Sequence, residues 1–289
     1  MNPSPLSRPP RQLDRRELCL AGALALLTLF AAFAPAIPGS VAGGTFFADV
    51  RPWAGLPHAL NVLSNLPFLV IGVIGLRWLR ALERLHDRVA AGAALHAADE
   101  LPINALDCAW LFFAGLILIA AGSVFYHLQP DALRLAADRA GMAVAFAGII
   151  GMAVCERVSP RAGWPAAWFA LAAGLLAVAI YYETGNTTPW VVVEVGGMAL
   201  VTGMALTRPV GHAGRALGLR LGWTIFFYAI AKLFELSDGL LFEATRNLIS
   251  GHTLKHLAAA LAALPVLQAV QGIGRSALLH NPRSAHVTV

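Results

Sequence analysis

Eight apolar runs, near residues 18–37, 59–79, 107–127, 139–156, 164–182, 189–206, 220–240 and 252–270, dominate this 289-residue sequence. A helix rising 1.5 Å per residue crosses about 30 Å of hydrocarbon in about 20 residues, and these runs reach or approach that length. Hydrocarbon gives backbone groups no hydrogen-bonding partner, so such segments fold as helices packed on one another. The expected fold is an all-α polytopic membrane helix bundle. Composition agrees: 58% of residues are hydrophobic and 13% charged, roughly half the charged share of a soluble domain. Pro and Gly punctuate the gaps, as in PAIPGS, SPRAGWP and TRPVGHAG. Residues 1–10 and 276–289 read as disordered tails.

The arginines set an orientation. There are 19 of them against two lysines, and 15 fall before the first run or after the second, fourth, sixth and eighth. The opposite gaps hold only Arg51, Arg134, Arg139 and Arg246. Cytoplasmic loops are the arginine-rich ones, so both termini are expected in the cytoplasm. The net charge of +5 therefore reports orientation and not nucleic-acid binding. The Arg, Ala, Leu and Gly bias is that of a GC-rich bacterial gene, which suggests the inner membrane. AFA near the end of the first run resembles a signal-peptide cleavage site. An apolar core of about 19 residues exceeds the usual 7–15, which favours a retained helix. Cys19, Cys108 and Cys155 are isolated, lack CxxC spacing and read as packing residues.

Against this apolar background five side chains stand out: Ser123, His127, Asp138, His252 and His256. Ser123/His127 and His252/His256 are each spaced four residues apart, so both members of a pair share a helix face. With the arginine-derived orientation, all five fall at the outer ends of their spans, in one leaflet. Ionisable groups at membrane depth are costly and mark function. Each piece alone has an ordinary explanation. A lone His127 can be a helix-bonding histidine, and Asp138 before Arg139 can be a helix cap. Together they suit a metal site. Neutral imidazoles bind zinc, and three protein ligands leave a fourth position for a water, whose pKa falls to about 7. A carboxylate can shuttle the proton to a leaving amine, and a hydroxyl can hold the water or an oxyanion.

Other polar residues interrupt the runs. Lys232, Glu235 and Asp238 lie at i, i+3 and i+6 and suggest a mutual ion-pair cluster, with Asp238 nearest the metal ligands. Glu194 is a candidate partner for Lys232, and Lys255 also requires pairing or snorkelling. Asn61, Ser64 and Asn65 follow one face and are expected to bond neighbouring helices. His86, His96 and His212 lie in arginine-rich loops as solvated residues. Trp53, Trp164 and Trp190, near span starts, suit an interfacial aromatic belt.

At SVFYHLQPDALRLAADR and SGHTLKHL the sequence resembles the alkaline ceramidase family, integral-membrane hydrolases of a superfamily that includes the adiponectin-receptor-like proteins. The family pattern is Ser-x3-His, an Asp eleven residues after that His, and a late His-x3-His, matched here by Ser123, His127, Asp138, His252 and His256. ADVRPWAGLPHALNVLSNLPF and KLFELSDGLLFEATRNLISGHTLKHL look like the entry and closing segments. The resemblance implies a seven-helix core over 46–272, preceded by a tail at 1–17 and an added helix at 18–37, and followed by a tail at 273–289. It further implies that His127, His252 and His256 bind Zn²⁺, Asp138 is the acid/base, Ser123 holds water and oxyanion, and the substrate is a ceramide or related N-acyl lipid. One departure argues against the family's calcium site: His58 stands where animal members have a Glu, leaving Asp49 as the nearby acid. A different class, a seven-helix receptor with a structural zinc, is the competing expectation. A transporter using the Lys/Glu/Asp set would need paired broken helices, which the sequence does not announce.

Overall fold

In the computed structural model, which describes residues 12–39, 47–92, 102–210 and 217–280, the regular elements are helices, with two isolated β-bridges. Each of the eight apolar runs is helical. The first, α1 (Arg15–Phe33), opens with a reciprocal cap. Asp14 accepts from Glu17 N at 2.9 Å, and the Glu17 carboxylate accepts from Asp14 N at 3.1 Å. α1 therefore starts inside the expected tail. It stops short of residue 37 because Pro35 disfavours helical geometry at Ala34, whose ψ is 150°. α1 lies at the periphery, exposing Leu26, Leu29, Phe30 and Phe33. Arg16 ties its start to the carbonyls of Arg157 and Arg208, and Arg161 pairs with Glu17.

Two runs are broken by proline. α2 (Ala59–Leu63) and α3 (Leu66–Gly92) separate at Ser64 and Asn65 because Pro67 has no N–H for the Leu63 carbonyl. α3 extends beyond the expected 79 because Leu79 and Leu82 stay buried along one face. α4 (Ile103–Leu128), α5 (Ala132–Arg157) and α6 (Pro160–Thr184) follow. α5 starts before residue 139, where Asp131 accepts from Arg134 N at 2.8 Å. Asp138 thus lies inside the helix and is not its cap. The sixth run is α7 (Thr188–Val191), a π-helical turn (Val192–Gly196) and α8 (Gly197–Ala205); the seventh is α9 (Leu221–Leu236) and α10 (Asp238–Ala244). The eighth is α11 (Gly251–Leu261) and α12 (Leu264–His280), divided where Pro265 cannot donate to Leu261. Residues 273–280 are therefore helix and not tail, while 1–11 and 281–289 fall outside the described residues.

Seven of these segments are long and apolar enough to cross a membrane: α1, α2–α3 as far as Arg84, α4, α5, α6, α7–α8, and α11–α12 as far as Ile273. α9, the remaining expected span, has 16 residues and packs against α11 and α8. α4 and α5 pack closely along their length. A Cβ on Gly148 would come within 2.4 Å of Phe112 N, and one on Gly122 within 2.7 Å of Ala137 O. Only glycine lets the two backbones touch there, as is usual where membrane helices pack without a hydrophobic driving force. Cys108 and Cys155 fill this core, whereas Cys19 is exposed on α1.

Candidate metal centre

The α4–α5 contact and the start of α11 build the site. Gly122 brings α4 against the backbone of Asp138, and Ser123 on the next residue lines the same cavity as the Asp138 side chain. One turn later, His127 is the penultimate residue of α4. Helix ends leave carbonyls without helical partners. Here the His127 carbonyl meets His58 Nδ1 at 2.6 Å, which fixes the backbone that carries the ring. His58 reaches it from a left-handed conformation, φ 44°, just ahead of α2.

α11 supplies the other two imidazoles from its first turns. Its N-cap Ser250 accepts from Thr253 N at 3.2 Å, and Asp238 Oδ1 accepts from His252 N at 2.7 Å. Asp238 Oδ2 also accepts from Ala48 N at 2.9 Å, so one carboxylate gathers the entry segment and α11. Gly251 makes the approach possible, since a Cβ there would lie 2.2 Å from Phe234 O. Asp238 is therefore outside the ion-pair cluster expected of it. The helix breaks at Ser237, and the i, i+3, i+6 face does not continue through the break.

His127, His252 and His256 form one buried group, with candidate ligand atoms all within 4.8 Å of one another. Their ring centroids are 4.8–5.1 Å apart. The Nε2 atoms of His127 and His252 face each other at 3.3 Å. Two nitrogens bound at 2.0–2.1 Å to one tetrahedral ion stand about 3.3–3.4 Å apart, so this pair fits a shared ion. His256 is oriented through its other nitrogen: Nδ1 meets Ser64 Oγ at 2.8 Å, and Ser64 Oγ donates to Asn61 O at 3.0 Å. With the serine proton committed to Asn61, Nδ1–H is the donor and the lone pair lies on Nε2, as a metal ligand requires. The three residues could hold a metal ion.

Phe47 closes over the group, its ring 4.8 Å from His127 and 4.6 Å from His252. Beside the group opens a cavity of about 400 Å³, lined by Phe47, Ser123, Asp138, His252 and His256 together with other aliphatic and aromatic side chains. All five residues singled out in the sequence thus come together at this site. The stripe Asn61, Ser64 and Asn65 bonds across helices as expected. Asn61 accepts from Thr253 Oγ1 at 2.8 Å, and Ser64 reaches a candidate ligand.

A polar string continues along the cavity wall. Glu194, in the π-helical turn, accepts from Tyr228 OH at 2.8 Å and from Lys232 Nζ at 2.9 Å. Lys232 also pairs with Glu235, and Glu235 with Lys255 at 3.0 Å. Glu194 is thus the partner expected for Lys232, and π-helical turns often occur at functional sites. Trp190 departs from expectation. It is 4% exposed and stands beside Arg139, so it is not part of an interfacial belt. His96 and His212 lie outside the described residues, as does the His86 side chain.

Outside the spans, Asp49 is buried, and Arg51 engages its carboxylate at 2.7 and 2.8 Å. Hydrogen bonding to Arg51 holds the Asp49 carboxyl below its ordinary range. The nearby acid considered for calcium is therefore committed to a guanidinium.

Fold and site together define a polytopic helical membrane protein with a buried three-histidine group able to hold a metal ion. No family model matches the sequence, and no curated protein matches it.

Proposed function

We propose that this protein is a zinc-dependent intramembrane amide hydrolase that cleaves a ceramide or related N-acyl lipid to a fatty acid and a long-chain amine. The observation that carries the reading is the convergence of three imidazoles, a carboxylate and a hydroxyl around one largely apolar cavity between membrane-spanning helices. A receptor with a purely structural metal has no need of Asp138 and Ser123 on the cavity side. His127, His252 and His256 would hold the ion. Bound zinc supplies a Lewis acid for the carbonyl and a water with a pKa of about 7.

The chain's own groups manage the proton. Asp138 accepts the proton lost by the attacking water and delivers it to nitrogen as the C–N bond breaks, since an amine leaves poorly unprotonated. Ser123, on the same cavity wall as Asp138, offers a hydroxyl to hold the water or the developing oxyanion. The carbonyl carbon gains the water oxygen and loses the nitrogen, and a water proton ends on the amine. The apolar lining takes the chains of a lipid that enters sideways from the bilayer. The arginine asymmetry supports cytoplasmic termini in a bacterial inner membrane, with the site in the outer leaflet.

Mass spectrometry of the solubilised, zinc-replete protein with a panel of ceramides and other N-acyl lipids tests this directly. Free fatty acid is expected from at least one member and not from the Asp138→Asn variant. If no member is cleaved, the hydrolase reading fails and the receptor reading replaces it.

A further inference from the structure

Arg139 follows Asp138 in α5 and lines the same cavity. Its guanidinium carbon lies 4.1 Å from the ring centre of Tyr181 on α6 and 5.6 Å from that of Trp190 on α7. Both rings are buried, at 3% and 4% exposed. Stacking uses the flat face of a guanidinium and leaves its N–H donors free at the edge. One of those edge atoms, Nη1, is buried and has no hydrogen-bond partner.

The other cations of the cavity differ. Lys232 is paired with Glu194 and Glu235, and Lys255 with Glu235. Among the described residues Arg139 is the cavity cation with no ion pair. Arg139, Lys232, Lys255, Asp138, Glu194 and Glu235 put charged groups on the wall of an otherwise largely apolar cavity, so it suits a ligand with a polar group as well as chains. A buried unsatisfied donor is costly, and more so when charged. A guanidinium fork matches a carboxylate bidentately.

We propose that Arg139, held against Tyr181 and Trp190, is a carboxylate-binding subsite, and that the preferred substrate carries an acid group on its amine half. An N-acyl amino acid with a long acyl chain has that chemistry; a neutral ceramide does not. Placing the carboxylate on the amine half rests on the hydrolase reading, in which the neighbouring Asp138 serves the leaving nitrogen. The subsite itself rests on a cavity-lining guanidinium without an ion pair, held against two buried rings. The fatty acid released by hydrolysis carries a carboxylate too, so the test separates the two sources.

Binding is measured calorimetrically on the solubilised full chain with an N-palmitoyl amino acid, its methyl ester and palmitate. The acid is expected to bind about tenfold tighter than its ester or more, the size of a hydrogen bond to a charged group. Arg139→Gln should erase that difference, and Arg139→Lys should retain part of it. Equal binding of acid and ester by the wild-type protein overturns the subsite, whatever the variants do. Arg139-dependent binding of palmitate alone overturns the substrate assignment. Turnover is scored separately on the same compounds. Acid-selective binding without cleavage of any amide defeats the hydrolase reading and leaves the subsite standing.

Discussion

Ser64→Ala tests the proton order on which the metal centre depends. Ser64 Oγ is the close partner of His256 Nδ1, at 2.8 Å, while the Asn65 amide nitrogen stands at 3.4 Å. The Asn65 amide cannot take over. Its nitrogen donates to Asn61 O at 2.7 Å, which holds the group so that it offers His256 another donor and no acceptor. Removing the hydroxyl leaves the Nδ1–H of a ligating His256 buried and unpaired, at a cost of about 1–3 kcal/mol. Loss of a hydrogen bond that orients a metal-ligating histidine typically weakens metal affinity about 10–100-fold, which is the same size. Ser64 is small and 6% exposed, so the substitution leaves little void and the fold is expected to persist. Competition against a chromogenic zinc chelator, with Ser64→Thr as the hydroxyl-retaining control, gives the affinity. Unchanged affinity in Ser64→Ala, with the thermal transition intact, would refute the assignment of Nε2 of His256 as the ligand atom.

His252→Ala combined with His256→Ala should abolish metal binding, read by elemental analysis of the purified protein; unchanged content moves the site elsewhere. Asp138→Asn should keep the metal and the fold but lose turnover by about 10²–10⁴-fold, the usual effect of removing a positioned proton-transfer group. Near-wild-type rates would reduce Asp138 to a structural acid. Glu194→Gln leaves Lys232 only Glu235 as a charged partner, and a loss of about 1–3 kcal/mol should lower the thermal midpoint. An unchanged midpoint means Lys232 has reached solvent. The Asp49 carboxyl is held below its ordinary 3.8 by hydrogen bonding to Arg51. Its stabilising contribution is present above that ordinary value and lost as pH falls through the lowered one. The stability gap between wild type and Asp49→Asn should therefore narrow below about pH 4, and a gap constant from neutral to acid pH would contradict the pairing.

Apolar run length made the helices legible, because it acts along the chain: each apolar run is helical, several of them interrupted. Runs 59–79 and 252–270 read as unbroken, yet the breaks at Pro67 and Pro265 are local too, since a missing N–H leaves a mark in the sequence. The break at Ser237 left none. It involves contacts distant in sequence, in which Asp238 accepts from Ala48 N and His252 N. For that reason, the spacing argument that joined Asp238 to Lys232 and Glu235 failed at its last member while Glu194 was correctly matched to Lys232. The histidine group was readable because the orientation expected from the arginines assigned three separated segments to one depth. Ser64 was visible as part of a polar stripe, but not as the partner of a particular ring nitrogen. Arg139 was obscured by Asp138 beside it, because a charged pair near a helix start reads first as a cap.

The placement of Lys255 shows why the polar string along the cavity belongs with the metal centre. Positions 252 and 256 share a face of α11 one turn apart, and position 255 is turned about 60° from 252 around the axis. A lysine in that place would raise the local positive potential and oppose any cation the histidines hold. Glu235 lies 3.0 Å from its ammonium and also pairs with Lys232, which Glu194 neutralises in turn. The string from Lys255 through Glu235 and Lys232 to Glu194 sums to zero charge, with the one cation nearest the imidazoles covered by an acid. One helix can therefore present two neutral imidazoles and a lysine without the lysine expelling the ion. The acid that makes this possible sits on α9, the helix whose end Asp238 ties to α11.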